Sequence, residues 1–230
     1  MKLDVIILAG GLGTRLASVV SDVPKPMALV AGEPFLNQIL QNLPLDNLAK
    51  IILAVGYKYE KIEEYYGAEY KGVPIVYSIE NEPLGTGGGI GLAMRKTTCD
   101  EILILNGDTL FDVNLEELVQ VHKAGDRLLT LALKQMENPD RYGTVLLEEN
   151  KVVRFQEKKE GLSTGLINGG VYMADKSLLK ELPTKDKYSF ESEVLEAKVT
   201  SGKLGGHIST GLFIDIGIPK DYERAQSVFA

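Results

Sequence analysis

Cysteine is almost absent from this chain, since Cys99 is the only one among 230 residues. No disulfide can therefore form within the chain, which fits a reducing cytoplasm, where we expect the protein to act. Long apolar runs are also lacking: none approaches the roughly 20 residues that a membrane span requires, and the amino terminus does not have the pattern of a signal peptide. We expect no membrane partner and, at a net charge of −7, no nucleic-acid partner.

Several common catalytic motifs are missing as well. The two histidines, His122 and His207, have no partner pattern around them, and we interpret both as structural or surface residues. No Gly-x-Ser-x-Gly elbow and no Cys/His cluster is present, so hydrolase and zinc-enzyme interpretations lack support. The Walker A motif is absent, and the dinucleotide fingerprint fails because Leu16 occupies the position of its third glycine. A nicotinamide-dependent oxidoreductase is therefore disfavoured.

A glycine-rich turn follows the first apolar run of the chain. The run Leu3–Leu8 is rich in β-branched residues and is bounded by glycines, which predicts a buried parallel strand. A Gly-Gly-x-Gly turn comes soon after it, and glycine lets the backbone turn tightly and present bare N–H groups to an anion. Arg15 and Lys25 add two cationic side chains. This combination predicts a cradle for the phosphates of a nucleotide.

Strands and helices are predicted to alternate along the first half of the chain. A second glycine-rich loop spans 80–90 and is predicted to open a helix over 90–96. An apolar strand over 101–106 ends just before Asp108, and another strand is predicted over 128–133. This order predicts a Rossmann-like α/β fold with a mainly parallel mixed sheet and helices on both faces. Ligand sites in such sheets lie at the carboxyl ends of the strands, where both glycine-rich segments and Asp108 fall.

The string Gly-Gly-x-Gly-Thr-Arg-Leu at 10–16, followed by Pro-Lys-Pro-Met at 24–27, resembles the signature of the sugar-1-phosphate nucleotidylyltransferases. Further motifs of that family follow in order, among them Glu-Lys at 157–158 and Asn-Gly-Gly at 168–170. The resemblance implies one nucleotidylyltransferase domain over 1–230. Its nucleotide-binding half would span about 1–135, and a small sugar-binding lobe would span about 136–230. A nucleoside triphosphate and a sugar 1-phosphate are the implied substrates, and the resemblance is compatible with a homodimer.

The resemblance also assigns roles to individual residues. It implies that Asp108 and Asp215, each at the end of a predicted strand, hold a magnesium ion, and Mg²⁺ is commonly bound through one or two carboxylates. Arg15, Lys25 and Asp108 are the implied catalytic residues. Contacts to the nucleotide are expected at Leu8, Ala9, Gly10, Gly11, Gly13, Thr14, Glu80, Gly85, Thr86 and Gly87. Contacts to the sugar phosphate are expected at Tyr142, Gly143, Glu157, Lys158, Asn168 and Gly169.

Glu80 bears on the choice of base. Carboxylate oxygens only accept hydrogen bonds. Guanine presents two adjacent donors, N1–H and N2–H₂, whereas thymine and uracil present one donor between two acceptors. The stretches at 57–60 and 82–87 also resemble those of family members that use GTP with D-glycero-α-D-manno-heptose 1-phosphate or mannose 1-phosphate. The alternatives are a uridylyl- or thymidylyltransferase acting on N-acetylmuramate 1-phosphate or glucose 1-phosphate, and a non-catalytic nucleotide-sugar sensor.

Overall fold

The computed structural model describes residues 2–11, 13, 15–16, 19–20, 22–156 and 161–230. The strands and α-helices in chain order are β1 (Leu3–Leu8), β2 (Leu29–Val30), β3 (Glu33–Pro34), α1 (Phe35–Gln41), β4 (Leu48–Val55), α2 (Glu60–Tyr66), β5 (Glu69–Tyr70), β6 (Val73–Ile79), α3 (Gly85–Met94), β7 (Glu101–Asn106), β8 (Thr109–Phe111), α4 (Leu115–Ala124), β9 (Leu129–Glu137), β10 (Thr144–Glu148), β11 (Lys151–Gln156), β12 (Thr164–Asp175), β13 (Leu204–Ile208), β14 (Phe213–Asp215) and α5 (Pro219–Phe229). Short 3-10 turns lie at Lys25–Met27, Leu45–Asn47, Lys176–Glu181 and Val199–Ser201, and a π-helical turn lies at Glu191–Glu196. None of the helices in this described part of the chain is long and apolar enough to span a bilayer.

Ten strands form one sheet in the order β10-β11-β13-β9-β12-β7-β1-β4-β6-β5. β1 lies between β4 and β7 and pairs with both in parallel, and β6 pairs in parallel with β4. β12 is antiparallel to both of its neighbours, β7 and β9. The predicted mixed sheet is therefore confirmed, but only its part β7-β1-β4-β6 and the pair β9-β13 are parallel, and the other six strand pairs that the structure describes in it are antiparallel. Because parallel neighbours need long crossover connections, the helices between them are carried onto the faces of the sheet.

Two hydrophobic clusters cover the two faces of the sheet. Along β1, Val5 and Ile7 belong to one cluster, which includes buried residues of α1, α2 and α5. Ile6 points to the other cluster, which includes α3 and the π-helical turn. Alternate residues of a strand face opposite sides, so a strand buried on both faces is mostly apolar, as β1 is apart from Asp4. Helices on both faces, as predicted, are thus confirmed.

The strands of the second half of the chain close on themselves. β10 pairs with β11 and also with β12, β11 pairs with β13, β13 pairs with β9, and β9 pairs with β12. These five strands form a ring that joins the rest of the sheet through β12. Leu131, Val145 and Phe155 from this ring are buried in the cluster on the α3 face. A ring of this kind pairs the polar backbone groups of its own strand edges.

β9 and β12 are longer than their apolar runs predicted. The apolar pattern of the sequence predicts a strand over 128–133 and, in the second half of the chain, another over 167–173, whereas the observed strands are Leu129–Glu137 and Thr164–Asp175. The added residues pair with each other, since Glu137 lies opposite Thr164 and Gln135 lies opposite Leu166. Strand length here is set by hydrogen bonding between the two strands, which a hydrophobic pattern does not report.

The second glycine-rich segment is helical from Gly85 onward, so the prediction of a loop over 80–90 with a helix beginning at 90 is wrong at that boundary. Glycine has low helix propensity, about 1 kcal/mol less favourable than alanine at each position. The first two turns of α3 nevertheless contain five glycines, at positions 85, 87, 88, 89 and 91. Tertiary packing therefore overrides local propensity in this helix.

The segment of residues 186–191, called the crossing segment, packs directly on the glycines of α3. Tyr188 N donates to the carbonyl oxygen of Leu84 at 3.0 Å, and Gly87 N donates to Tyr188 O at 3.1 Å. A Cβ atom at Gly87 would overlap the Tyr188 ring, and a Cβ atom at Gly88 would overlap the carbonyl oxygen of Asp186. Only glycine lets the crossing segment approach the helix so closely.

We expect Gly88→Ala to lower the free energy of unfolding by about 1–3 kcal/mol, because overpacking against a backbone oxygen is destabilising by that much. In a helix with open space the same change would raise stability by up to about 1 kcal/mol. Urea unfolding followed by circular dichroism measures the sign. Gly11→Ala, where a Cβ atom would meet nothing within 4 Å, is the control and should change stability by less than about 0.5 kcal/mol. A more stable Gly88→Ala protein would contradict the packing described here.

Candidate active site

Two adjoining cavities open at the carboxyl ends of β1, β4, β6 and β7. The first, called the glycine cavity, has a volume of about 330 Å³ and is lined by Leu8, Gly10, Gly11, Gly13, Ala54, Glu80, Pro83, Gly85 and Thr86. The second, called the carboxylate cavity, has a volume of about 410 Å³ and is lined by Arg15, Thr86, Asn106, Asp108, Thr109, Arg141, Tyr142, Gly143, Asn168, Gly169, Gly170, Ser189, Glu191, Phe213 and Asp215. Thr86 lines both, so the two cavities adjoin at this residue, and we refer to them together as the cleft.

Close backbone approach shapes the glycine cavity. A Cβ atom at Gly10 would lie 3.1 Å from the backbone nitrogen of Gly56, and Gly13 has a φ of +60° that favours glycine. Two predicted nucleotide contacts lie outside the walls of this cavity: Ala9 is buried, and Gly87 is covered by Tyr188. The other predicted nucleotide contacts line the cavity, apart from Thr14, which lies outside the described residues.

Glu80 projects its carboxylate into the wall between the glycine cavity and the start of α3. Its Oε2 accepts a hydrogen bond from Leu84 N at 3.1 Å, and its Oε1 would lie 2.5 Å from a Cβ atom at Gly89. Burial raises the pKa of Glu80, and the N–H of Leu84 partly offsets that effect. Beyond Glu80 the cleft continues into a recess of about 230 Å³ that reaches Tyr57. Glu80 is thus positioned to accept a hydrogen bond from a ligand in the cleft.

Asp108 and Asp215 are brought together by the pairing of β8 with β14. Thr109 lies opposite Asp215 in that pair, and the backbone nitrogen of Ile216 donates to the carbonyl oxygen of Asp108 at 3.0 Å. Burial raises the pKa of Asp215, and the nearby Asp108 carboxylate raises it further. Lys25 Nζ lies 2.5 Å from Asp108 Oδ2, and this lysine is almost fully buried. The structure therefore places the two predicted metal ligands and one predicted catalytic cation in one cluster.

The donor set fits a magnesium ion. Mg²⁺ usually takes one or two carboxylates from the protein and completes its shell with water and substrate phosphates. Asp108 and Asp215 both line the carboxylate cavity, so both can face a phosphate there. No cluster of three or more metal-binding side chains occurs among the residues that the structure describes. Two carboxylates on the wall of the carboxylate cavity are nevertheless sufficient for this ion, because water and phosphate oxygens complete its shell.

Arg141 and Tyr142 surround Asp215, and the sequence analysis missed the arginine. Tyr142 donates its hydroxyl to Asp215 Oδ2 at 3.1 Å, and Arg141 Nη2 lies 3.3 Å from the same oxygen. Arg141 Nη1 also donates to Asp221 Oδ2 in α5 at 2.7 Å. The position of Arg141 directly before the predicted Tyr142-Gly143 pair was the only signal in the sequence that could have indicated it.

The crossing segment contributes a second feature that the sequence analysis missed. Thr86 Oγ1 donates to Glu191 Oε2 at 2.7 Å and accepts from Phe190 N at 3.0 Å. Ser189 Oγ donates to the same carboxylate oxygen of Glu191 at 3.0 Å. Thr86 therefore fastens the crossing segment to the first turn of α3, in addition to lining both cavities.

The remaining predicted residues lie at the far wall of the carboxylate cavity or outside the described residues. Asn168 donates from Nδ2 to the Tyr172 hydroxyl at 2.7 Å and accepts at Oδ1 from Gly170 N at 3.2 Å, so its amide is held in place by the protein. Gly143 and Gly169 line the same cavity. Arg15 is exposed and lines this cavity too. Glu157 and Lys158 lie outside the described residues.

This fold and this cleft are typical of a class of protein, the α/β enzymes that bind their ligands at the carboxyl ends of parallel strands. The family model described as nucleotidyl transferase matches residues 4–230, and the chain belongs to that family. The resemblance inferred from the glycine-rich turn and the Pro-Lys-Pro-Met string is therefore confirmed.

Three relatives are similar to the chain over nearly its full length. It is 49% identical over 224 residues to the D-glycero-alpha-D-manno-heptose 1-phosphate guanylyltransferase of Aneurinibacillus thermoaerophilus, with 97% of each chain covered. A Campylobacter jejuni protein of the same name is 46% identical over 220 residues, which cover 96% of this chain and 97% of that one. The crystal structure of HddC from Yersinia pseudotuberculosis complexed with GMP-PN is 36% identical, with a TM-score of 0.85 and coverage of 99% and 100%.

We expect Thr86→Val to lower the free energy of unfolding by about 1–2 kcal/mol, because it removes the donor to Glu191 and the acceptor for Phe190 N. Thr86→Ser keeps the hydroxyl and is the matched control, with a change below about 0.5 kcal/mol. Both values come from urea unfolding of the purified proteins. Equal stability of the valine and serine variants would show that these two hydrogen bonds do not hold the crossing segment.

Proposed function

We propose that the chain transfers the GMP group of GTP to D-glycero-α-D-manno-heptose 1-phosphate in the presence of Mg²⁺, forming the GDP-sugar and pyrophosphate. The observation that carries this proposal is the junction of the two cavities at Thr86, with the Asp108–Asp215 pair on the wall of the second. A nucleotide and a sugar phosphate can therefore lie side by side in one cleft. The two relatives named for this activity, each at least 46% identical, support the choice of substrates.

The reaction needs positioning and charge neutralisation more than proton transfer. An oxygen of the sugar phosphate attacks the α-phosphorus of GTP, and the bond from that phosphorus to the oxygen bridging to the β-phosphate breaks as pyrophosphate leaves. The attacking oxygen already carries negative charge, so no general base is required. Holding both reactants in line supplies much of the acceleration in such a reaction. A magnesium ion held by Asp108 and Asp215 would supply further positive charge to the phosphates.

Arg15 and Lys25 are the protein's own cations for the triphosphate. Arg15 is exposed on the cleft wall, where it can contact the leaving pyrophosphate. Lys25 is paired with Asp108 in the structure, and we infer that its ammonium group turns to a phosphate oxygen when nucleotide binds. Cations placed at the phosphates in this way stabilise the charge that develops in the transition state.

The sugar would occupy the carboxylate cavity. Asn168 and the backbone at Gly143 and Gly169 line it and offer hydrogen-bonding groups to sugar hydroxyls. Asn168 keeps one N–H and one lone pair beyond its internal bonds, because an amide has two donors and two acceptor sites. Glu157 and Lys158 remain predicted contacts to the sugar and its phosphate.

The first experiment measures pyrophosphate release with Mg²⁺ for GTP, UTP, dTTP, ATP and CTP against a panel of sugar 1-phosphates. We expect GTP with the heptose 1-phosphate to be the best pair, with mannose 1-phosphate as the nearest competitor. A site that hydrogen-bonds one base can discriminate against others by roughly 10⁴-fold. Asp108→Asn should lose nearly all turnover. Absence of turnover with every pair would overturn the proposal, and a preference for UTP or dTTP would overturn the choice of base alone.

We expect Glu80→Gln to lower kcat/KM for GTP by about 10- to 100-fold, since a hydrogen bond to a charged acceptor is worth about 1.5–3 kcal/mol. Oε2 can still accept from the base because each carboxylate oxygen has more than one lone pair. Glu64→Gln on the exposed side of α2 is the control and should leave kcat/KM unchanged. Equal kcat/KM for GTP in wild type and Glu80→Gln would exclude Glu80 from base recognition.

The raised pKa of Glu80 also predicts a pH dependence. Guanine needs the carboxylate form, so affinity for GTP should fall as the pH drops through that pKa. Because burial raises the pKa, the loss should begin at a higher pH than for an exposed glutamate. In the Glu80→Gln variant, residue 80 does not titrate. A plot of KM for GTP against pH should therefore lack the rise at low pH that wild type shows.

A further inference from the structure

Arg141 is held in a defined orientation at the edge of the carboxylate cavity. It lies between β9 and β10, and 39% of its side chain is exposed. Nη1 bonds Asp221 Oδ2 at 2.7 Å, Nη2 reaches Asp215 Oδ2 at 3.3 Å, and the guanidinium carbon lies 5.5 Å from the centre of the Tyr142 ring. The short bond to Asp221 anchors the guanidinium group to α5, whereas the bond to Asp215 is long.

The described wall of the carboxylate cavity carries more acidic than basic side chains. Three carboxylates line its described wall, those of Asp108, Asp215 and Glu191. Among the described residues in that wall, only Arg15 and Arg141 carry positive charge. Arg15 belongs to the glycine-rich turn at the nucleotide end, whereas Arg141 adjoins Tyr142 and Gly143 at the other end. A phosphate group that enters at this other end would meet Arg141 on the wall.

The guanidinium group has donors to spare. Arginine presents five N–H donors in a planar fork, and the two ion pairs account for two of them. Asp215 Oδ2 also accepts from Tyr142, and Asp215 Oδ1 accepts from Gly217 N at 2.5 Å. Asp215 can therefore release Arg141 without losing all its hydrogen bonds. An arginine fork matches two oxygens of a phosphate group, which a lysine cannot do.

We propose that Arg141 binds the phosphate group of the sugar 1-phosphate. Its Nη1 stays on Asp221, and its Nη2 exchanges Asp215 for an oxygen of the phosphate. Asp221 is then a positioning residue that holds the guanidinium group at the cavity. Since a sugar 1-phosphate substrate is itself part of the function proposed above, the experiment must separate the two.

The test compares wild type with Arg141→Lys and Arg141→Gln in steady-state assays with Mg²⁺, GTP and the best sugar 1-phosphate. We expect KM for the sugar phosphate to rise about 10- to 100-fold in Arg141→Gln, the range for losing a charged hydrogen bond, and by less in Arg141→Lys. KM for GTP should change less than about twofold in both. Arg154→Gln removes an equal charge from the exposed side of β11 and should leave both constants unchanged.

A purely structural role gives a different result. If Arg141 only steadied Asp215, Arg141→Gln would lower kcat and raise the Mg²⁺ concentration needed for half-maximal rate, with KM for the sugar phosphate unchanged. That outcome overturns the inference. Calorimetric titration of the sugar phosphate in EDTA gives a readout without turnover, and equal affinity in wild type and Arg141→Gln also overturns it.

Failure of the proposed function is distinguishable from failure of the role of Arg141. Wild-type protein that turns over no sugar 1-phosphate would reject the function. Wild-type protein that is active, alongside an Arg141→Gln variant with an unchanged KM, would reject only the role of Arg141. Melting temperatures of all variants show whether the Arg141–Asp221 pair is also needed for folding, and Arg141→Lys keeps the charge if Arg141→Gln unfolds.

Discussion

Two carboxylates, Asp108 and Asp215, lie side by side at the end of the sheet, and the structure around them is arranged to hold both. The two carboxylates repel each other, and burial of Asp215 also favours its uncharged form. Lys25 offsets this at Asp108, while Arg141 and two further donors, the Tyr142 hydroxyl and Gly217 N, bond to Asp215. These partners come from three different parts of the chain. Pairing of β8 with β14 is therefore the contact on which the assembly of the cleft depends.

The second constraint is the close contact between α3 and the crossing segment. The glycines of α3 allow Tyr188 and Asp186 to approach the helix backbone, and Thr86 then bonds both Glu191 and Phe190 N. The start of α3 thus lines the glycine cavity with Gly85 and Thr86, and the crossing segment packed on it supports a wall of the carboxylate cavity.

The strand ring of the second half gives the carboxylate cavity a firm far wall. β12 carries Asn168 and Gly169, and it pairs with both β7 and β9. Gly169 also has no room for a side chain, because a Cβ atom there would overlap the Phe111 ring. Phe111 packs edge to face on Phe213, which packs in the same way on Tyr142, the residue that bonds Asp215. Aromatic contacts therefore connect the wall formed by Asn168 and Gly169 with Asp215.

The sequence by itself determined the fold class, the family and the two ends of the cleft. Apolar strands, glycine-rich turns and acids at strand ends are local patterns, because each of them can be recognised within a short stretch of the chain. Leu8, Asp108 and Asp215 could be found in this way. The start of α3 could not be found in this way, because its glycines are required by close contacts with Tyr188 and Asp186, about a hundred residues further along the chain.

Only the tertiary structure decided which distant residues meet. Arg141 bonds an acid 80 positions later, and Thr86 bonds one 105 positions later. Neither pair has a local signature, since its partners are brought together by the path of the backbone. The closed strand ring arises in the same way, from hydrogen bonds between strands that no single stretch of sequence contains.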